Sequence, residues 1–338
     1  MKILYAIQGT GNGHLSRAME IIPALMKRGE VDLLLSGIQV DLSLPYLIKY
    51  RLNGLSFIFG KRGGVDFFRT YAKLNSRKVV REIRALPVES YDLIINDFEP
   101  ISAWAAYRKD LPCIALSNQC VTLSPSVPKP KSRDMIGELV LKYYAPSTAQ
   151  YGFHFARFDE NIYTPIIRKE VRELQVTNKG HYTVYLPAYD DDRMIKHLSR
   201  FKGLQWEVFS KHNKKVKEEG NVKVYPINGR AFLESMASSM GVLCAAGFAT
   251  AAEALFLKKK LLVIPMKSQY EQHCNAAALR SLGVPVMKSL KKKHYDRLEN
   301  WLLYGKVVEV DYPDLTEEIV DRIITEQVVN KHQLPPHL

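Results

Sequence analysis

The sequence has no apolar run approaching the roughly 18 uninterrupted residues a membrane-crossing helix needs, so a transmembrane span is excluded. Cysteine is scarce. Cys113, Cys120, Cys244 and Cys274 show no metal-ligand spacing, and a chain of 338 residues needs no disulfide staples, so free thiols and no bound metal are expected. Acidic residues are outnumbered, 35 against 48 Lys and Arg, and the formal charge of +13 implies an anionic partner: nucleic acid, a phosphorylated substrate or an acidic membrane surface. No Gly-Lys-Ser or Gly-Lys-Thr closes a glycine loop, which excludes an ATP-type phosphate loop. The N-terminal MKILYAIQGTG has one Lys before a short apolar run and no small-residue cleavage site, so it reads as the first strand of a cytoplasmic protein.

What is present is a repeated alternation of short apolar strands with helix-period segments, the pattern of a parallel sheet covered by helices. Strands are expected at 2–8, 31–35, 56–59, 91–96 and 113–117, with helices at 15–28, 67–86, 102–108 and 136–144. Residues 152–158 and 166–174 show no clear period. A polar, turn-rich TNKG near 176–180 marks a boundary, after which the alternation restarts. Strands follow at 182–186, 206–209, 222–224, 241–244, 261–265, 284–287 and 307–311, and helices at 191–201, 232–238, 250–257, 275–282, 295–303 and 315–329. The length suits two domains, each with its own core. They are drawn at 1–176 and 177–311, and 312–338 supplies a helix that crosses back to the first.

The densest signals lie in 241–276. A buried strand breaks at Ala245-Ala246-Gly247 before a helix, whose N-terminus offers unpaired N–H groups and partial positive charge to an anion such as a diphosphate. Glu253, in the first turns, can accept two hydrogen bonds from the vicinal diol of a ribose, or stand as an ordinary solvated helix residue. The next strand leaves into MKSQYEQHCN, read as a loop whose Gln269, Glu271, Gln272, His273 and Asn275 are planar polar partners for sugar hydroxyls.

The first glycine loop, GTGNGH at 9–14, resists the dinucleotide reading. Its third glycine is replaced by His14, and the second strand ends at Ser36 without the acidic residue that grips an adenosine ribose. An imidazole at a glycine-lined helix start suits general-base chemistry instead. Asp97, at the end of a neighbouring strand, is placed to orient His14, with Glu99 an almost equal candidate.

The spacing of Gly247, Glu253, Pro265 and a polar loop ending in Glu271-Gln272-x-x-Asn275 resembles the donor-sugar motif of GT-B glycosyltransferases. It is most similar to the group containing the N-acetylglucosaminyltransferase of peptidoglycan lipid-intermediate synthesis and its microbial relatives. The resemblance implies an α/β GT-B fold, two Rossmann-like domains facing across a cleft. It implies Gly247 and Thr250 at the phosphates, Glu253 at the ribose, Glu271 and Gln272 at the sugar, and Asn228 in the 226–230 loop at the base edge. Gly11, Gly13 and His14 fall at the acceptor and diphosphate. The expected activity is an inverting, metal-independent transfer of a hexose from a nucleotide diphosphate sugar, uridine-based by preference, to a hydroxyl acceptor such as a lipid-linked or cell-envelope glycan. No cofactor is expected.

One departure from that family is LPAYDDDR at 186–193, where relatives carry a Gly-Gly-Ser-like phosphate loop; consecutive Asp residues there read as helix caps in preference to a cation site. Basic and aromatic residues at 46–84 offer a seat on an anionic inner membrane leaflet, giving a cytoplasmic or peripheral location. Two other readings stand beside the transferase: a sugar-nucleotide epimerase of the same fold, and a non-enzymatic polyanion binder, the latter without any RNA- or DNA-binding motif.

Overall fold

Apolar strands separated by amphipathic helices fold into two parallel sheets in the computed structural model, which describes residues 1–37, 44–54, 76–267 and 269–329. The first sheet contains β1 (Lys2–Gln8), β2 (Glu30–Ser36), β3 (Ile48–Leu52), β4 (Leu93–Asp97), β5 (Ile114–Ser117), β6 (Ala149–Phe153) and β7 (Ile162–Tyr163). Their order is β3-β2-β1-β4-β5-β6-β7, every pairing parallel. The second contains β8 (His181–Tyr185), β9 (Gln205–Ser210), β10 (Lys217–Glu219), β11 (Val222–Pro226), β12 (Gly241–Cys244) and β13 (Lys260–Val263) in the order β10-β11-β9-β8-β12-β13. Only β10 runs antiparallel there, at the edge.

The helices of the first half are α1 (Asn12–Met26), α2 (Ser76–Ala85), α3 (Pro100–Arg108), α4 (Asn118–Val121), α5 (Met135–Tyr143) and α6 (Lys169–Arg172). Those that follow are α7 (Asp191–Leu198), α8 (Gly229–Ser238), α9 (Phe248–Phe256), α10 (Tyr270–Ser281), α11 (Tyr295–Tyr304) and α12 (Thr316–Ile324). Parallel strands need such crossovers, and the order reversal beside β1 leaves a crevice outside the strands' carboxyl ends.

Each sheet buries both faces. On the first, Leu4, Ala6, Leu34 and Ile94 pack beneath Val79 of α2 and Ile101 of α3. The opposite face, with Ile3, Tyr5 and Ile7 under Leu15, Ile22 and Leu25 of α1, continues into the second half through Phe155 and Phe248, whose ring centroids are 5.0 Å apart. Trp206, Tyr182 and Trp301 anchor the far side of the second sheet. α12 lies on α1, with Arg28 paired to Asp321 at 2.8 Å and Lys27 to Glu317 at 2.6 Å.

Several elements differ from the sequence reading. The strand expected at 56–59 and the first half of the helix at 67–86 lie outside the described residues. β3 was hidden because Ile48–Leu52 is a half-polar edge strand that reads as basic surface. The segment 307–311 carries no strand, and 284–287 makes only the single bridge Val263–Val286. The second polar stretch, 269–275, is a correction too: α10 begins at Tyr270, so Glu271, Gln272 and Asn275 stand on a helix, where Glu, Gln and the following Ala run are good helix formers.

Candidate functional site

The first wall of the crevice grows from the turn after β1. Gly11 has φ 92, a left-handed conformation that glycine adopts without strain, and it starts α1 with no side-chain N-cap and no acid in the first turn. That geometry sends His14 inward, 8% exposed. Its Nδ1 lies 2.8 Å from Asp97 Oδ1. Arg17, one turn along the same helix, grips the same carboxylate through Nη2 to Oδ1 at 2.5 Å and Nε to Oδ2 at 3.1 Å, and reaches Asn118 Oδ1 at 3.1 Å. Two groups face Nδ1, the Asp97 carboxylate at 2.8 Å and Arg17 Nη2 at 3.2 Å; the closer carboxylate favours a proton on Nδ1, since an unprotonated Nδ1 would set lone pair against lone pair. His14 Nε2 is then the acceptor, facing Gln119 Nε2 at 3.4 Å. Burial raises the Asp97 carboxyl, but the charges of Arg17 and His14 and their hydrogen bonds outweigh it and hold Asp97 below the usual range, so it stays ionised.

Glu99 does not compete for that role. It is fully buried as the N-cap of α3, accepting from Ile101 N and Ser102 N at 2.7 Å each, and Ser36 Oγ donates to it at 2.6 Å. Burial raises its carboxyl, opposed by those hydrogen bonds. Phe98 separates the two acids with φ 55, which turns them to opposite sides of the chain.

The second wall is the start of α9. Gly247 caps it without a side-chain hydrogen bond, no acid occupies the first turn, and a Cβ at Gly247 would touch nothing within 4 Å. The first-turn N–H groups therefore stand open to an anion. Thr250 is the third residue of this helix. Asn275 Nδ2 donates to Ala246 O at 3.0 Å and fixes the turn from α10, while its Oδ1 has no partner among the described residues. Glu253 is 4% exposed and accepts from Arg168 Nε at 2.7 Å. Burial raises the Glu253 carboxyl, and Arg168 opposes this.

Across the crevice the walls nearly meet: a Cβ on Gly13 would lie 3.9 Å from that of Ala249. Glu271, in the first turn of α10, accepts from Asn118 Nδ2 at 3.0 Å and Gln119 Nε2 at 3.3 Å. Gln272 instead turns inward, its Oε1 accepting from Met266 N at 2.9 Å. Asn228 is the N-cap of α8, its Oδ1 accepting from Ala231 N at 3.1 Å and its carbonyl from Phe232 N at 2.9 Å. In the departing LPAYDDDR segment, Asp190 caps α7, Asp191 accepts from Ser210 Oγ, and Asp192 pairs with Lys217 at 3.0 Å.

A cavity of about 20 Å³ lies between the walls, lined by Gly13, Arg17, Arg168, Phe248, Ala249 and Glu253 among others. That is room for about one water. Arg17, Asn118, Gln119 and Arg168 are the site residues the sequence reading missed. Arg17 had a signal, its i+3 spacing from His14, and Asn118-Gln119 follow directly on a strand end. Arg168 had none, lying in a stretch without period.

Two largely parallel, helix-covered sheets, each following its own Rossmann-like plan, make up the GT-B fold. The chain belongs to glycosyl transferase family 1, whose model matches residues 1–304. It is similar in structure to the S. aureus MnaA–UDP complex, with a TM-score of 0.64 and 12% identity over 99% of this chain and 98% of that one. The glycotransferase of kitacinnamycin gives 0.59 and 15% identity over 99% of both chains. Arabidopsis thaliana UGT89C1 bound to UDP gives 0.56 and 13% over 96% and 99%. No curated protein matches the sequence. Among the described residues no helix is long and apolar enough to cross a membrane.

Proposed function

We propose that this glycosyltransferase moves a hexose from a uridine diphosphate sugar to a hydroxyl acceptor, with inversion and without a metal ion. The observation that carries the reading is the juxtaposition of His14, on its ionised Asp97, with the uncapped start of α9. His14 Nε2 takes the acceptor proton as the hydroxyl oxygen attacks the anomeric carbon from the face opposite the leaving group; Asp97 stabilises the imidazolium. The open N–H groups at Gly247 to Thr250 receive the departing diphosphate, the charge stabilisation a metal would otherwise supply. Glu253 holds the ribose diol, Glu271 the hexose, and the main chain around Asn228 the base. The domain division at 1–176 and 177–311, with 312–338 returning to the first, gives the two halves that part and close. A lipid-linked or cell-envelope glycan acceptor, presented at an anionic membrane surface, fits the net charge of +13. UDP bound to two proteins of the same fold supports the choice of base.

Incubation with labelled nucleotide sugars, with and without EDTA, tests this. Free uridine diphosphate, formed equally with the chelator present, is the expected product. An isomeric sugar nucleotide would instead mark an epimerase, and turnover that requires added magnesium would remove the metal-independent mechanism.

A further inference from the structure

Two consecutive amides join the charged groups of one wall to those of the other. Asn118 and Gln119 open α4 directly after β5, in a turn held from both sides: Ser117 Oγ accepts from Cys120 N at 3.1 Å, and Thr122 Oγ1 donates to Asn118 O at 2.8 Å. Both residues are buried. Asn118 Nδ2 donates to Glu271 Oε1 at 3.0 Å, and its Oδ1 accepts from Arg17 Nη1 at 3.1 Å. Gln119 Nε2 lies between Glu271 Oε2 at 3.3 Å and His14 Nε2 at 3.4 Å. Because Arg17 and His14 share Asp97, the contacts close a ring that leaves Glu271 through one amide and returns to it through the other.

The two bridges are unequal. The Asn118 contacts have ordinary lengths, whereas both Gln119 contacts exceed the roughly 3.2 Å of a well-formed N–H hydrogen bond. The orientation of the Gln119 amide is nonetheless fixed. Turned over, its Oε1 would face the Glu271 carboxylate and the His14 lone pair at once, so the NH₂ end takes that place. Its Oε1 is then buried with no partner among the described residues. An orphaned buried oxygen costs free energy, so two weak acceptors hold the amide in a poor arrangement, and occupation of either one loosens it. One of those acceptors is the lone pair that the mechanism needs. His14 Nε2 takes the acceptor proton, and the Gln119 N–H is directed at it.

We propose that Gln119 is a positioning residue that couples the base to the donor sugar: it covers His14 Nε2 until a hexose hydroxyl takes Glu271, and then leaves the base open to the acceptor. The inference rests on the roles given to His14 and Glu271 in the transferase reading. The sugar is the trigger, since uridine diphosphate alone brings no hexose hydroxyl to Glu271, and a ligand moves the amide only by competing for what holds it.

Nitrogen-15 NMR of the full chain labelled in histidine, with the His14 signals assigned by their loss in His14→Ala, reads the lone pair directly. Leucine keeps the volume of Gln119 and donates nothing, so Gln119→Leu gives the Nε2 resonance of an uncovered base. Without any nucleotide, Glu271→Ala is expected to shift that resonance in the same direction, although Glu271 makes no hydrogen bond to His14. The Nδ1 signal, held by Asp97, stays in place in both variants and reports an intact dyad. In wild type, uridine diphosphate glucose or uridine diphosphate N-acetylglucosamine produces the same shift of Nε2, and uridine diphosphate does not. By calorimetry, Gln119→Leu binds the hexose nucleotide about 2- to 10-fold more tightly, the value of one hydrogen bond no longer displaced, with uridine diphosphate unchanged. An Nε2 resonance identical in wild type and Glu271→Ala, a shift produced by uridine diphosphate alone, or weaker binding of the hexose nucleotide by Gln119→Leu would overturn the coupling. Failure of every nucleotide to bind wild type would instead overturn the donor reading, and the comparison of wild type with Glu271→Ala would still decide the coupling.

Discussion

The two walls of the crevice share a plan, a glycine-led helix with no side-chain N-cap, yet they hold their charged groups in opposite ways. On the first wall, His14, Asp97 and Arg17 satisfy one another within the same half, and the base is oriented before any ligand arrives. On the second, Glu253 and Glu271 are held by side chains reaching over from the other half, Arg168 to one and Asn118 with Gln119 to the other. On the proposed reading, the reacting groups are preassembled, whereas the donor-binding carboxylates are held by side chains of the opposite wall. On the same reading, these partners stand where ribose and hexose hydroxyls would donate, and they keep the buried Glu253 and the half-buried Glu271 satisfied in the absence of ligand.

Removing the preassembled wall should have the largest effect. His14→Ala is expected to lower kcat by about 10²- to 10⁴-fold with donor affinity unchanged, read by steady-state kinetics beside calorimetric titration of uridine diphosphate. Asp97→Asn should approach the same loss for a different reason. The amide oxygen keeps the position that His14 Nδ1 and Arg17 Nη2 share, so the imidazole stays oriented, but a neutral amide no longer stabilises the imidazolium formed when His14 takes the acceptor proton. A kcat near wild type for either variant would detach the dyad from catalysis.

The second wall should respond in affinity. Glu253→Ala removes charge-assisted hydrogen bonds to the ribose and should weaken the donor by about 10- to 100-fold, chiefly in KM. Arg168→Ala should do the reverse, tightening uridine diphosphate by a few-fold, because the ribose no longer competes for Glu253. Weaker binding in Arg168→Ala would show that Arg168 holds the donor and is no stand-in.

The smallest effect separates the junction from both walls. His154, fully buried among Phe155, Phe158 and Phe248, is pushed down to about 3 by burial, with Lys129 adding to it. The unfolded chain binds this proton below about pH 6.5 and the folded chain does not, so stability is full above that pH and falls as the pH drops towards 3. Urea titrations of wild type and His154→Gln between pH 7 and 4 should show the wild type losing more stability on acidification. Parallel curves would clear His154.

The walls also differ in how far the sequence disclosed them. The strand, small-residue turn and helix that form the start of α9 were legible because they lie in one continuous stretch; the helix-covered parallel sheets followed from the strand–helix alternation, and their GT-B arrangement from the resemblance. The choice between Asp97 and Glu99 was not legible, since both follow the same strand. It is settled by the left-handed Phe98 and by Glu99 capping α3, contacts that no spacing encodes. Glu271 and Gln272 were found but set on a loop, because polar residues at a helix start look like loop residues until their tertiary partners are known. Arg168, Asn118 and Gln119 escaped because their partners lie 85, 153 and 152 residues away in the chain.

Calorimetric titration of uridine diphosphate into wild type, His14→Ala and Glu253→Ala most directly tests whether one wall reacts and the other binds. Equal affinity for wild type and His14→Ala, with Glu253→Ala at least tenfold weaker, is the predicted result. Equal affinity for all three, or loss confined to His14→Ala, would contradict it.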